Sequence, residues 1–289
     1  RMLTLYYFLD KYFPEFQSSK LQREAVFYKI YPEGKAYDSK ILAPLMSSFK
    51  NLVEGFFIIH SLDSKPILKK KILASELKRR NLSACYKQLI CNLLGQLQNE
   101  PIKNYKNYLE QFLIQNDLYF LPTTDKINGK VSSLEIAMKN LDDFYVISKL
   151  RLACEFETRS KFLSDDAPIK LLKEVSEIAD GEMKKDNPTV SLYLTFLKLF
   201  SSDTEERLAF SKAEKDFLDY FPKLDKSDQK ELLPLLLNFA NHCVMKGNPD
   251  FLDKQFELYN LGLTSGSFIE NGRMPDSIFT NIAMIGAAK

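Results

Sequence analysis

The chain has 289 residues, of which 45% are hydrophobic, 27% charged and 12% aromatic. That is enough apolar material to build a core, and it excludes disorder. Ten glycines and twelve prolines are too few for the tight turns of an all-β sandwich or barrel. The formal net charge of +2 predicts no partner, and two histidines leave little for acid–base or metal chemistry.

Taken in chain order, apolar residues recur every three to four positions, with hardly any alternating β-branched run, so the chain reads as helix after helix. The spacing predicts helices near 3–12, 18–30, 38–62, 66–79, 82–99, 103–119, 132–163, 167–182, 188–201, 204–220, 226–246, 250–263 and 275–288. The clearest is 38–62. There Leu42, Leu45, Phe49, Leu52, Phe56 and Ile59 step by three or four residues along one stripe, widened by Met46, Val53 and Phe57. This stripe is expected to be buried. Asp38 reads as its N-cap, and Pro44 as a residue of a later start or a kink.

Breakers fall where loops are needed: Pro32-Glu33-Gly34, Pro66, Glu100-Pro101, the 121–131 stretch with Pro122 and Asn128-Gly129, Asp166-Ala167-Pro168, Asn187-Pro188 and Gly247-Asn248-Pro249. Asn-Pro and Asp-x-Pro fit an N-cap followed by a first-turn proline, whose missing N–H has no helical partner anyway. Pro234 sits inside an apolar run and predicts a bend or a later helix start.

Consecutive helices of this length predict an all-α fold, an α-solenoid of stacked antiparallel hairpins in a right-handed tetratricopeptide-like superhelix. The expected pairs are 66–79 with 82–99, 167–182 with 188–201, 204–220 with 226–246, and 250–263 with 275–288. The division is an N-terminal helical cap over 1–62, compatible with a helix-turn-helix, and a repeat array over 63–289. Arg1 at the start leads us to expect that the natural start is missing, and Ala287-Ala288-Lys289 without a helix stop leads us to expect an array cut at its C-terminus. In a DNA-reading cap Lys40, Lys50 and Asn51 are the polar readers, but the apolar stripe argues for burial instead.

Phe251, Phe256, Leu258, Tyr259, Leu261 and Gly262, followed by Pro275, Ile278, Phe279, Asn281, Ile282 and Gly286, are similar to a tetratricopeptide or pentatricopeptide hairpin. The segment Lys29-Ile30-Tyr31-Pro32-Glu33-Gly34-Lys35-Ala36-Tyr37-Asp38-Ser39-Lys40-Ile41-Leu42 with Leu45-Met46-Ser47-Ser48-Phe49 resembles an uncharacterised family of large bacterial helical-repeat proteins. Glu270-Asn271-Gly272 leading into Phe279-Thr280-Asn281-Ile282 does so too. The resemblance implies an α-solenoid and carries no catalytic residue with it.

Little points to chemistry. Ser47/Lys50, Ser75/Lys78 and Ser227/Lys230 share the Ser-x-x-Lys spacing, at a frequency chance explains. The adjacent pairs Asp142/Asp143, Asp165/Asp166 and Glu205/Glu206 diverge around a helix rather than face each other. Cys85, Cys91, Cys154 and Cys243 lack zinc-knuckle spacing and read as buried small hydrophobes. His60 and His242 lie near helix C-termini, where the dipole favours the protonated ring. The uninterrupted apolar runs, such as Phe56-Phe57-Ile58-Ile59, are short for a membrane span. The sequence therefore predicts no enzyme, cofactor, metal or membrane contact, and a cytoplasmic location.

Charge is distributed unevenly. Residues 1–106 hold 18 Lys and Arg against 9 Asp and Glu, a net of +9, whereas 107–289 hold 22 against 29, a net of −7. Lys65, Lys69, Lys70, Lys71, Lys78, Arg79 and Arg80 face only Asp63 and Glu76. The expected function is a non-enzymatic scaffold that binds a protein or peptide segment in a concave face, with Tyr105, Tyr108, Tyr145, Tyr193 and Tyr259 as exposed anchors. The alternative is a nucleic-acid-associated or regulatory protein contacting phosphates through Lys69, Lys70, Lys78, Arg79 and Arg80.

Overall fold

The computed structural model describes residues 1–32, 34–100, 102–120, 133–163, 168–201, 206–269 and 272–288. The fold is all-α: the described residues contain helices and no sheet. The breakers Glu33, Pro101, 121–131 and Asp166-Ala167, the pair Asp165/Asp166, Glu205 and Glu270-Asn271 lie outside those residues. The chain divides into two compact units, Arg1–Leu89 and Ile90–Lys289.

Unit 1 holds α1 (Met2–Asp10), a 3-10 turn at Ser19–Leu21, α2 (Arg23–Ile30), α3 (Ser39–Asp63) and α4 (Pro66–Arg79). Its core is small. Leu5 of α1, Val26, Phe27 and Ile30 of α2, Tyr31 and Leu42 of α3 are buried together, with Leu45 and Phe49 packed half-buried against them. Phe27 sits 4.9 Å from Tyr31 and edge-on to Tyr37 at 5.5 Å, so one phenyl ring organises the cluster. Asp38 caps α3 as expected, its Oδ1 accepting the Lys40 N–H at 2.8 Å. Pro44 is accommodated without breaking the helix, in an exposed turn where water can serve the Lys40 carbonyl it leaves unpaired.

The expected burial of the α3 stripe fails beyond Phe49. Leu52, Phe56 and Ile59 are exposed, as are Phe57 and Ile58. The reason is length. At 1.5 Å per residue, α3 runs about 37 Å, whereas α1 and α2 each reach only about 13 Å and cover its first half. By length and composition α3 is also able to cross a bilayer, with a mean hydropathy of 1.2 over 18 residues. Counting uninterrupted apolar runs missed this, because the helix sums its hydropathy across scattered polar positions.

The division between units falls within α5 (Ser83–Gln98), which buries Tyr86, Ile90, Leu93 and Leu97 at helical spacing. Unit 2 continues with α6 (Tyr105–Tyr119), α7 (Ser133–Leu163), α8 (Leu172–Ile178), a π turn at Ala179–Met183, α9 (Lys184–Asp186), α10 (Pro188–Phe200), α11 (Glu206–Tyr220), α12 (Lys226–Met245), α13 (Phe251–Ser265) and α14 (Asp276–Ala288). The single helix expected over 167–182 begins at Leu172 and is interrupted at Gly181, whose ψ of −126° is not helical. Pro234 lies within an unbroken α12.

α6 packs on α7, α10 on α11, α12 on α13 and α13 on α14. Of the expected hairpins, 250–263 with 275–288 recurs as a close pair and 167–182 meets α10 through its π turn. Among the described residues α4 does not pack closely on α5, nor α11 on α12 by backbone approach. The long α7 also touches α8, α10 and α12, which strict nearest-neighbour stacking does not require. α10 buries nine of its residues, from Thr189 to Phe200, and is apolar on nearly all sides because helices surround it. Rings hold the next layers apart: Phe210 stacks on Phe239 at 5.9 Å and meets Phe251 edge-on at 5.1 Å. In α13, Gly262 lets the Phe268 ring lie directly on the helix backbone, where a Cβ would collide with it.

Candidate functional site: a carboxamide and methionine groove

Along one side of unit 2, α7, α12, α13 and α14 enclose a groove of ≈610 Å³. Each helix contributes a stripe fixed by its own periodicity. α7 supplies Glu155, Thr158 and Arg159, α12 supplies Asn238, Asn241 and Met245, and α14 supplies Asn281, Met284 and Ile285. Spacings of three and four put each set on one face. The adjoining faces enter the core, through Phe239, Ala240 and Cys243 on α12 and Ile278 and Ile282 on α14, with Ile285 at the boundary between groove and core.

The groove is chemically mixed. Met245 and Met284 are 76% and 66% exposed, giving deformable apolar contact. Gln255 donates to Asn241 Oδ1 at 2.6 Å, which orients that carboxamide. Among the described residues, Asn238 and Asn281 have no side-chain partner, so each offers a donor and an acceptor to an occupant. Thr158 is spent on the Cys154 carbonyl at 2.7 Å.

A second polar region gathers helix N-termini. Asn104 caps α6 by accepting the Lys106 and Asn107 N–H groups, and its Nδ2 donates to Asp225 Oδ2 at 2.9 Å. Asp225 in turn caps α12 by accepting the Asp228 N–H at 2.7 Å. Asn187 caps α10 and donates to the Lys103 carbonyl at 2.8 Å. Three positive helix ends thus meet beside Asp225, Asp228 and Glu231. Burial, reinforced by Asp225 and Glu231, pushes the Asp228 carboxyl up to about 7. Beside this junction Glu100, Lys103, Tyr108, Lys139, Asp143 and Asn187 line a polar cleft of ≈420 Å³.

The tyrosines expected as exposed anchors scatter. Tyr193 and Tyr259 are core residues, 1% and 4% exposed, and offer no ring to a partner; their helical positions face neighbouring helices. Tyr105 is half-buried, with Arg151 and Lys106 4.7 and 5.3 Å from its ring centroid and its hydroxyl donating to Glu231 at 3.4 Å. Tyr108 is half-buried in the polar cleft, and burial raises its hydroxyl pKa. Tyr145 alone is exposed, on a stripe of α7 with Met138, Leu141 and Leu152. None of the five lines the groove.

The basic residues all lie on or just after α4. Lys69, Lys78, Arg79 and Arg80 are exposed and Lys70 is half-buried. Lys69 pairs with Asp63 at 2.9 Å, and its hydrogen bond holds that carboxyl below the ordinary range. Arg79 and Arg80 share Glu76, at 2.8 and 3.4 Å.

Two further expectations change. His242 is pushed down rather than up: burial and the neighbouring Lys246 and Lys161 outweigh the C-terminal helix dipole and Glu206. Of the cysteines, only Cys154 and Cys243 are buried, while Cys85 and Cys91 are exposed on α5, and all four are free thiols. Burial holds Cys154 protonated, and burial with the Glu206 carboxylate raises Cys243 to about 12, so neither is a poised nucleophile. Among the described residues no three His, Cys, Asp or Glu side chains cluster to hold a metal.

Among the described residues no aromatic side chain lines the groove, so the expected tyrosine anchors do not point to it. Its signal was present: Asn238 and Asn241 interrupt the most apolar run of α12, on the side opposite its buried leucines. Comparison with protein-family models, curated proteins and solved structures finds no match.

Proposed function

We propose that the chain is a non-enzymatic scaffold of the α-solenoid type, a tetratricopeptide-like array that binds an extended peptide or protein segment in the α7/α12/α13/α14 groove. The observation carrying this reading is the pairing of open carboxamides, Asn238 and Asn281, with the exposed Met245 and Met284 in one groove. A carboxamide matches the donor and acceptor of a peptide unit whatever its side chain, and methionine adapts to varied apolar residues. The stacked helices hold these groups without loop rearrangement, which lowers the entropic cost of binding.

The test is selection of random linear peptides displayed on phage against the immobilised chain, followed by fluorescence polarisation with the selected peptides. Asn238→Ala with Met284→Glu is expected to weaken them by about tenfold or more, at roughly 1 kcal/mol for the hydrogen bond and more for the charge. Failure to select any peptide, or selected peptides indifferent to both substitutions, removes this reading.

A further inference from the structure

We infer that the C-terminal half of α3 and the α4 that follows it form a docking surface for an anionic lipid bilayer, entering one leaflet without crossing it. The inference rests on unit 1 and is independent of the peptide groove.

Phe56, Phe57, Ile58 and Ile59 are 60%, 62%, 63% and 65% exposed. Four consecutive helical residues project at about 100° intervals, so together they face nearly every direction around the axis. A helix seated in a protein groove presents one stripe and keeps the other faces polar. Apolar side chains bare on all sides instead suit a fluid apolar medium that closes around them. α4 extends the same chemistry with exposed Leu68, Ile72 and Leu73.

Charge supplies the second argument. Residues 1–89 carry 16 Lys and Arg against 8 Asp and Glu, a net of +8. Of these, Lys65, Lys69, Lys70 and Lys71 follow the apolar stretch directly and interleave with Leu68, Ile72 and Leu73. Apolar side chains flanked by lysines meet an anionic lipid surface twice, by burial below the headgroups and by attraction to them. A neutral partner would leave the basic excess unused.

Depth follows from the ion pairs that bracket the stretch. Lys50 pairs with Glu54 at 3.4 Å on one side, and Asp63 with Lys69 at 2.9 Å on the other. Between them the uncharged residues 55–62 span about 12 Å, well short of the roughly 30 Å hydrocarbon core. α3 as a whole is long and apolar enough to span, but a spanning pose would hold the Lys50–Glu54 pair within the hydrocarbon, so only the stretch after it enters, to the depth of one leaflet.

The chain contains no tryptophan, so Phe57→Trp places a single reporter in the surface. The experiment mixes this variant with phosphatidylcholine vesicles, with and without about 30% phosphatidylserine, at low and high salt. Expected are co-sedimentation and a blue-shifted emission with phosphatidylserine at low salt, quenching by shallow brominated lipid, and loss of binding by about tenfold in Phe56→Ser with Ile59→Ser. Lys65→Glu with Lys70→Glu is expected to weaken binding by about thirtyfold or more, at about 1 kcal/mol for each of the two cations lost. The proposal is overturned by no binding at low salt, by equal binding to neutral vesicles, or by binding that survives Phe56→Ser with Ile59→Ser. It is overturned equally if light scattering finds a second copy of the chain covering this face, as a dimer dissolved by the same substitutions and indifferent to vesicles.

Discussion

Phe56 and Phe239 are the same side chain on two long apolar helices of one chain, and they end in opposite environments. Phe239 lies in the core of unit 2 between Phe200 and Phe210, at 6.0 and 5.9 Å, with Phe251 beyond at 6.4 Å. Phe56 is 60% exposed, with its nearest aromatic contacts on its own helix, Phe57 and His60. The difference is not in the helices' own patterning, since both carry three-to-four spacing of apolar residues. It lies in the neighbours. α12 is met by α7, α10 and α13, whereas α3 outruns the two short helices that cover its beginning. Periodicity specifies which residues share a face; only the lengths of the other helices decide whether that face is covered.

The largest effect that tests this contrast is Phe239→Ala. Removing a fully packed ring opens a cavity beside Phe200 and Phe210, and large core deletions of this kind cost about 3–5 kcal/mol. Urea unfolding followed by circular dichroism at the helical minimum reads it for the unit 2 transition. A loss below about 1 kcal/mol means that the aromatic layer between α10, α11, α12 and α13 is not close-packed.

Next in size is a charge rather than a ring. Asp228 is 2% exposed, and its carboxyl is pushed up to about 7, chiefly by burial and then by Asp225 and Glu231. Its unfolded value is 3.8, so between those two values the folded chain holds a proton that the unfolded chain releases. Stability contributed by this group is therefore intact at low pH, falls as pH rises through that window, and is fully lost above it. Asp228→Asn keeps the hydrogen-bonding shape without the ionisation. It is expected to stabilise unit 2 by about 2 kcal/mol at pH ~8 and to change little at pH ~4, where both forms are neutral when folded. An Asp228→Asn curve parallel to the parent curve across that range contradicts the buried assignment of this carboxyl. Among the described residues no buried polar or charged side chain accompanies the cluster around Phe27.

Much of the architecture was legible in the sequence because helix signals are local. Asp38 and Asn187 cap helices through their own side chains as expected, and α4, α10 and α12 begin at the expected starts. What was not legible was long-range. Tyr193 reads like Tyr145 in isolation; one faces α7 and the core, the other solvent, and the distinction is set by helices far away in sequence. The link from Asn104 to Asp225 spans 121 residues and has no local signature, though it ties together the starts of α6 and α12. The carboxamides of the groove were visible only as polar interruptions, Asn238 and Asn241, in a leucine-rich helix.

The smallest expected effect is the sharpest discriminator between the two units. In lipid-free buffer Phe56→Ser removes a side chain that the folded chain leaves as open to water as the unfolded chain nearly does, so little transfer free energy is at stake. The stability of unit 1 is expected to change by less than about 0.5 kcal/mol, against several for Phe239→Ala. Differential scanning fluorimetry at two protein concentrations separates the remaining cases. A loss above about 2 kcal/mol that grows with concentration means a second copy covers the α3 stripe in solution. The same loss independent of concentration means that another part of the chain covers it, and then the exposed half of α3 is core after all.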